Sequence, residues 1–223
     1  MRPVDAASLV IVRNRREVLM GLRSSRHVFV PQQYVFPGGR VDAGDGRVAA
    51  PFALSEHSRQ RLERSASAAR SRAIAMAAVR ETWEETGLLL GKPPAQTLRT
   101  RSPSWRPFYR QGLVPALQHM DYFARAITPP NNVRRFDARF FATDARHCAG
   151  RLRSNGELEN LHWVPLADTA GLPMIGITRL VLALVQEALG DSEARRRAVA
   201  VEPAVARYEL VEQHTLPPNL LGG

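Results

Sequence analysis

Arg80-Glu81-Thr82-Trp83-Glu84-Glu85-Thr86-Gly87-Leu88 sets three carboxylates on one side of a helix that a glycine ends. With Glu81 as origin and about 100° per residue, Glu84 and Glu85 fall within roughly 60° of it. Ala75, Met76, Val79 and Trp83 lie on the opposite side, an apolar stripe of helical period. Such a helix buries one face and aims a cluster of acids outward from the other. Hard cations such as Mg²⁺ take oxygen ligands, and a carboxylate cluster supplies them.

The plainer alternative is a solvated acidic face. Like charges at this spacing cost only about 0.2–0.5 kcal/mol per pair in water, so repulsion alone does not call for a metal. The pattern is more telling. R-E-x-x-E-E-x-G arises by chance in on the order of one chain in ten thousand of this length, with each residue at roughly 6%. Upstream, Tyr34-Val35-Phe36-Pro37-Gly38-Gly39-Arg40 runs an aromatic strand into Pro-Gly-Gly. Glycine permits a sharp turn and a close approach of backbone there.

Together these segments resemble the Nudix hydrolases. The box of that family has a glycine, five residues, an acid, seven residues, then R-E-U-x-E-E-x-G-U, with U a bulky aliphatic. Gly39 and Asp45 match the first half, with aspartate in place of glutamate. Arg80, Glu81, Glu84, Glu85, Gly87 and Leu88 match the second, and Thr82 sits at an aliphatic position. The seven-residue gap has grown to 34 residues, 46 to 79. Lengthening a loop costs only about 0.6 kcal/mol per doubling. Phe29-Val30-Pro31, the Tyr34–Gly39 run, Val41-Asp42, Ile127-Thr128-Pro129-Pro130 and Arg134-Arg135-Phe136 through Phe141 are similar to the branch containing the peroxisomal coenzyme A diphosphatase. The resemblance covers roughly residues 6 to 190.

The resemblance implies an α+β fold, a Nudix-type α/β/α sandwich with a mixed β-sheet. It implies Mg²⁺ or Mn²⁺ held by Glu81, Glu84 and Glu85, with a backbone oxygen at Gly39. One of the three acids serves as base, and which one stays open. Arg80 is an expected orienter, four residues before Glu84. Asp45 is shorter than the family's glutamate, and its role stays open. Glu157 and Glu159 are candidates for a fourth acid, and Arg23 and Arg40 for a phosphate clamp; solvated positions are the alternative for all four. His27, His119 and His162 have no partner at metal-ligand spacing and read as structural or surface histidines.

The implied reaction is hydrolysis of the diphosphate linkage of a nucleoside diphosphate derivative, coenzyme A or acyl-coenzyme A in particular. ADP-ribose or nucleotide-sugar hydrolysis is one alternative. A Nudix module that binds a nucleotide without cleaving it is another.

Composition narrows the classes. The 223 residues fit one domain with an elaboration, and 44% hydrophobic content is ordinary for a globular chain. We expect the Nudix domain over 1–190, with an insertion at about 46–72, and a C-terminal extension over 191–223. Cys148 is the single cysteine, so no internal disulfide forms. No apolar run approaches the ~18 residues of a membrane span. Val4–Val12 reads as a strand rather than a leader, and a cytoplasmic setting is expected. Of 31 basic residues only Lys92 is lysine, and the net charge is +10. The arginines are dispersed, with no aromatic-interleaved basic motif, which disfavours nucleic acid; a positive field suits a polyanionic small molecule. Nothing sets an oligomeric state.

Strands are expected at Ala6–Arg13, Val18–Arg23, Gln33–Phe36, Asp121–Ile127, Arg135–Ala142 and Glu157–Pro165. Helices are expected at Ala73–Thr86, Leu113–His119 and Ile177–Leu189, with edge strands within Val199–Val211. The stretch Ser58–Arg72 reads as helical and solvated. It should emerge near the cleft mouth, where Arg59, Arg61 and Arg64 would meet an extra phosphate.

Overall fold

The computed structural model describes residues 2–25, 31–130, 132, 134–201, 209–217 and 220–221. The elements in chain order are β1 (Val4–Arg13), β2 (Glu17–Arg23), β3 (Tyr34–Val35), β4 (Gly38–Arg40), α1 (Glu56–Glu63), α2 (Ala68–Thr86), β5 (Leu88–Lys92), α3 (Arg106–Tyr109), β6 (Val114–Pro115), β7 (Asp121–Ile127), β8 (Phe136–Asp144), β9 (Cys148–Gly150), β10 (Leu158–Pro165), α4 (Gly176–Ala188), α5 (Ala194–Val201) and β11 (Glu209–Gln213).

The main sheet runs β10-β2-β1-β8-β7-β11, with β3 on β2 and β4 on β1. It is mixed. β1 and β8 are parallel, in register from Val4↔Phe136 to Val12↔Asp144, and the other pairs are antiparallel. Alternation along β1 explains the layers. Ala7, Leu9 and Ile11 point to a core shared with α2, while Val10 and Val12 point to a second core shared with α4. A strand buried on both faces needs apolar residues at successive positions, which β1 has. The result is an α/β/α sandwich. A small second sheet, β6-β5-β9, closes the end of α2.

Asn14 and Arg15 take φ of 52° and 56°, the left-handed pair that a two-residue hairpin needs between β1 and β2. Gly87 caps α2 at φ 73°, accepting no side chain: a Cβ there would stand 2.6 Å from the Arg151 carbonyl oxygen.

Several expectations are corrected. The motif helix starts at Ala68, five residues early, because Ser67 accepts from the Arg70 N–H and caps it. Leu88–Lys92 and Cys148–Gly150 are short strands that the sequence reading left unassigned; they pair with each other as the chain leaves the helix. The expected helix at Leu113–His119 is strand β6 followed by a 3₁₀ turn at Leu117–His119. Pro115 steers Val114 away from the α conformation. Gly38-Gly39-Arg40 is not merely a turn but a strand, paired with Ser8, Ala7 and Ala6. In the tail, Ala194–Val201 is helix, and Glu209–Gln213 adds an edge strand to β7. Residues 202–208 of the expected edge-strand region lie outside the described residues, as do His27, Phe29 and Val30.

The insertion is also not a solvated arm. Ser55 caps α1, and Ser58 and Leu62 on that helix are wholly buried, as is Val48 nearly so. Leu62 and Val48 join the α2 core, and burying a leucine contributes about 2 kcal/mol. Ser58 donates to Asp121 at the head of β7, and Arg61 donates to the carbonyl oxygens of Tyr122 and Thr215. The segment therefore packs on the β7 side of the sheet.

Candidate active site

The last two turns of α2 and strand β4 build one wall of a cleft of about 890 Å³. Glu81, Glu84 and Glu85 all line it, with Gly38, Gly39 and Arg40. The acids do not face open water as a plain amphipathic helix would have them. β4 lies over them. Glu85 is 5% exposed and accepts the Gly38 backbone N–H at 2.8 Å. Gly39 lies so close to Glu81 that a Cβ there would stand 2.5 Å from its carboxyl group. This is the close approach for which the glycine pair is required.

Arg80 is 4% exposed and uses its whole guanidinium. Nη1 stands 2.9 Å from Glu81 Oε1 and 2.9 Å from Glu84 Oε2. Nε donates to Asp45 Oδ1 at 2.9 Å, and Nη2 donates to Asp45 Oδ2 at 3.1 Å and to the Arg40 carbonyl oxygen at 2.8 Å. Burial opposes its charge, but the hydrogen bonds to Asp45 and the three surrounding carboxylates outweigh this and raise its pKa. Asp45 is thus a buried anchor for Arg80, with 0% exposure, and does not line the cleft.

The acids are poised the other way. Burial pushes Glu85 up to about 8, partly relieved by the Gly38 N–H and reinforced by the charge of Glu81. Burial likewise pushes Glu81 up to about 7, relieved by Arg80 and reinforced by Glu84. Glu84 is raised by burial too. Glu157 lines the same cleft, and its charge raises both Glu81 and Glu85. Glu159, two residues on, is exposed in β10 opposite Leu22 and is not among the lining residues. Arg23 and Arg40 line the cleft, and the charge of Arg23 opposes the rise of Glu85.

No protein-family model and no curated protein matches the chain. Solved structures do. A NUDIX hydrolase from Alicyclobacillus acidocaldarius is 26% identical over 88% of this chain and 96% of its own, with a TM-score of 0.65. The chain belongs to the Nudix hydrolase superfamily. The MutT protein from Methanosarcina mazei Go1, at 14% identity, 86% and 99% coverage and a TM-score of 0.50, shares the fold. As a Nudix hydrolase the chain is an enzyme that acts on phosphorus-containing anhydrides.

The departures from the Nudix box have local accommodations. Thr82, at the aliphatic position, is wholly buried, and its carbonyl oxygen accepts the Thr86 hydroxyl. The 34-residue gap is filled by α1 and the start of α2, so Asp45 still meets Arg80.

The cleft extends beyond the acids. Its floor is apolar, with Ala6, Ala138, Phe140, Ile175 and Ile177, and Arg134 and Arg135 line it from the loop between β7 and β8. These two arginines entered the sequence reading only as part of a resemblance. The available signal was a doubled arginine, Arg134-Arg135, four residues past Pro130 and between two expected strands. Trp105, whose indole donates to Asp45 at 2.8 Å, carried no signal, since its contact is made only in the fold. His119 stacks on His147 with ring centroids 4.0 Å apart, and His162 contacts the Asn160 carbonyl oxygen; neither lines the cleft. Arg59 pairs with Glu56 and Glu63, and neither it nor Arg61 nor Arg64 lines the cleft.

Proposed function

We propose that the chain hydrolyses the diphosphate linkage of a nucleoside diphosphate derivative, with coenzyme A or an acyl-coenzyme A as the favoured substrate. The observation that carries this reading is the layout of the cleft. Along β1, the acids stand by Ser8, which pairs with Gly38, while the backbone carbonyl oxygen of Arg135 accepts from the Val4 N–H at the strand's start. Four strand residues separate the two, roughly 13 Å. An elongated ligand fits, with its diphosphate at the acids, its body on the apolar floor, and a further anionic group at Arg134 and Arg135.

A divalent metal fits the acid end by donor chemistry. Glu81, Glu84 and Glu85 are hard oxygen donors, and burial raises Glu81 to about 7 and Glu85 to about 8, so a nearby cation would favour their charged forms. Among the described residues no three acidic, histidine or cysteine side chains already enclose an ion position, and Arg80 is paired with Glu81 and Glu84. Glu81, Glu84 and Glu85, with the Gly39 peptide oxygen, would hold Mg²⁺ or Mn²⁺. When bound, the metal neutralises diphosphate charge and lowers the pKa of water. The chain's own contribution is to hold those carboxylates, through Arg80 and the Gly38 N–H, and to present Arg23 and Arg40 beside them for the phosphate oxygens.

The test is a substrate panel with Mg²⁺ or Mn²⁺: coenzyme A, an acyl-coenzyme A, ADP-ribose, a nucleotide sugar and a dinucleotide. Products are followed by chromatography. Cleavage between the two phosphates of coenzyme A, at a higher kcat/KM than on ADP-ribose, is the expected result. Cleavage of ADP-ribose or the nucleotide sugar alone moves the substrate class. Binding without any cleavage overturns the hydrolytic reading.

A further inference from the structure

We infer that Trp105, which lies outside the Nudix box, is a positioning residue for the acids of the site and acts through Asp45 and Arg80. An ionised carboxylate offers about four acceptor positions. Asp45 fills four. Oδ1 accepts from Arg80 Nε at 2.9 Å and Trp105 Nε1 at 2.8 Å; Oδ2 accepts from Arg80 Nη2 at 3.1 Å and the Asp42 N–H at 2.7 Å. The two arginine bonds form a planar fork, and the indole and the backbone amide fix the plane of the carboxylate from outside it. The guanidinium is flat, so the plane of Asp45 sets where Nη1 points. Nη1 is the nitrogen that meets Glu81 and Glu84.

The indole is itself held. Trp105 is wholly buried, and its ring meets Phe108 edge-on at 5.4 Å and Tyr109 at 6.2 Å. Phe108 meets Trp83 at 5.9 Å, and Trp83 lies between Glu81 and Glu84 in sequence on the opposite face of α2. The contacts close a loop, from Arg80 through Asp45, Trp105 and Phe108 back to Trp83. A Cβ on Gly44 would stand 2.6 Å from Ser102 Oγ and 3.0 Å from Ser104 Oγ, so glycine there lets the Trp105 segment press onto the Asp45 turn. An indole has one N–H and no acceptor, and Trp105 commits it to this carboxylate. A buried indole N–H needs an acceptor, and here the acceptor is the carboxylate that anchors Arg80.

This rests on the hydrolase reading for its kinetic arm, and a second arm is independent of activity. Trp105→Phe keeps an aromatic ring and removes the donor. It should lower kcat about tenfold while KM stays within about twofold, the size usual for outer-shell partners. In ¹⁵N-labelled protein, the Arg80 Nε–H resonance, assigned by its loss in Arg80→Lys, should be slow to exchange in the native chain and exposed in Trp105→Phe. Leu62→Ala, in the same core but outside this chain of contacts, is the packing control: it should lower the melting temperature but keep kcat and the protected Nε–H. Should Trp105→Phe fail to fold, Gly44→Ala tests the same link, with the same expected fall in kcat and exposed Nε–H. Native kcat and a protected Nε–H in the variant would overturn the proposal, as would an equal loss of kcat in Leu62→Ala. If the native chain cleaves no diphosphate substrate, the hydrolase reading fails, and the Nε–H signal alone decides whether Trp105 holds Arg80.

Discussion

The backbone N–H of Gly38 donates to Glu85 Oε2 at 2.8 Å, joining two halves of a motif that lie 47 residues apart in the chain. The bond shows what the glycines do. They let backbone approach the carboxylates of Glu81 and Glu85 where a side chain would block it. Gly39→Ala should therefore displace Glu81, since its Cβ would stand 2.5 Å from that carboxyl group. The expected outcome is a loss of kcat of about tenfold or more with a nearly native circular dichroism spectrum, an estimate by analogy with outer-shell losses. Native kcat in the variant would show that Glu81 is free to move aside.

Activity should need a divalent metal. Excess chelator should abolish turnover, and Mg²⁺ or Mn²⁺ should restore it. Full turnover in chelator overturns the role given to the three glutamates.

Glu84→Gln and Glu85→Gln should each lower kcat by at least ~10²-fold, the scale set by lost charge stabilisation in a transition state. The amide keeps the shape and removes the charge. Unchanged kcat in both would make the cluster an ordinary acidic face.

Stability should depend on pH in a definite direction. Glu85 is pushed up to about 8 and Glu81 up to about 7, from an ordinary value of 4.5, with burial the largest cause for each. Between the ordinary and the raised values, the folded chain holds protons that the unfolded chain has released. Stability is then full below the unfolded pKa and falls as pH rises through the folded one. In chelator, the melting temperature should drop as pH rises from about 5 to about 8. Glu85→Gln should flatten part of that drop, and added Mg²⁺ should oppose it. A melting temperature that rises over this range in chelator contradicts the burial assigned to these acids.

The motif helix, its glycine stop and the central strands were legible because each is written locally. The stripe from Ala75 to Trp83, the left-handed Gly87 and the apolar run of β1 are all short-range signals. What stayed hidden depends on contacts between distant segments. Asp45 looked doubtful because aspartate is shorter than glutamate, yet the fold brings Arg80 and Trp105 to it. The insertion looked solvated because arginine and serine dominate it, while Leu62 and Ser58 alone anchor one face of α1. β5 and β9 were missed because each is short and is strand only in company with the other. Among the two acid candidates before Trp163, composition could not choose; the loop preceding β10 places Glu157 at the cleft and leaves Glu159 on the sheet edge.

On the coenzyme A reading, we assign the phosphate contact expected of the insertion to another loop. Arg59 is tied to Glu56 and Glu63, and Arg61 to Asp121, Tyr122 and Thr215, all away from the cleft. Arg134 is exposed and lines the cleft beside Arg135, whose Nε donates to the Thr128 carbonyl oxygen at 3.0 Å. Arg134→Gln should thus reduce kcat/KM on coenzyme A about tenfold, the loss of a charge-assisted contact worth roughly 1.5 kcal/mol, and should change little on ADP-ribose, which lacks the 3′-phosphate. The loss should fall mainly on KM, because the contact is made before and during the reaction alike. The triple substitution of Arg59, Arg61 and Arg64 by glutamine should leave the ratio of the two kcat/KM values unchanged and lower the melting temperature, chiefly through Arg61. A selective loss on coenzyme A in the triple variant would return the phosphate to the insertion. An equal loss on both substrates in Arg134→Gln would remove this loop from substrate choice and leave a general diphosphate clamp in its place.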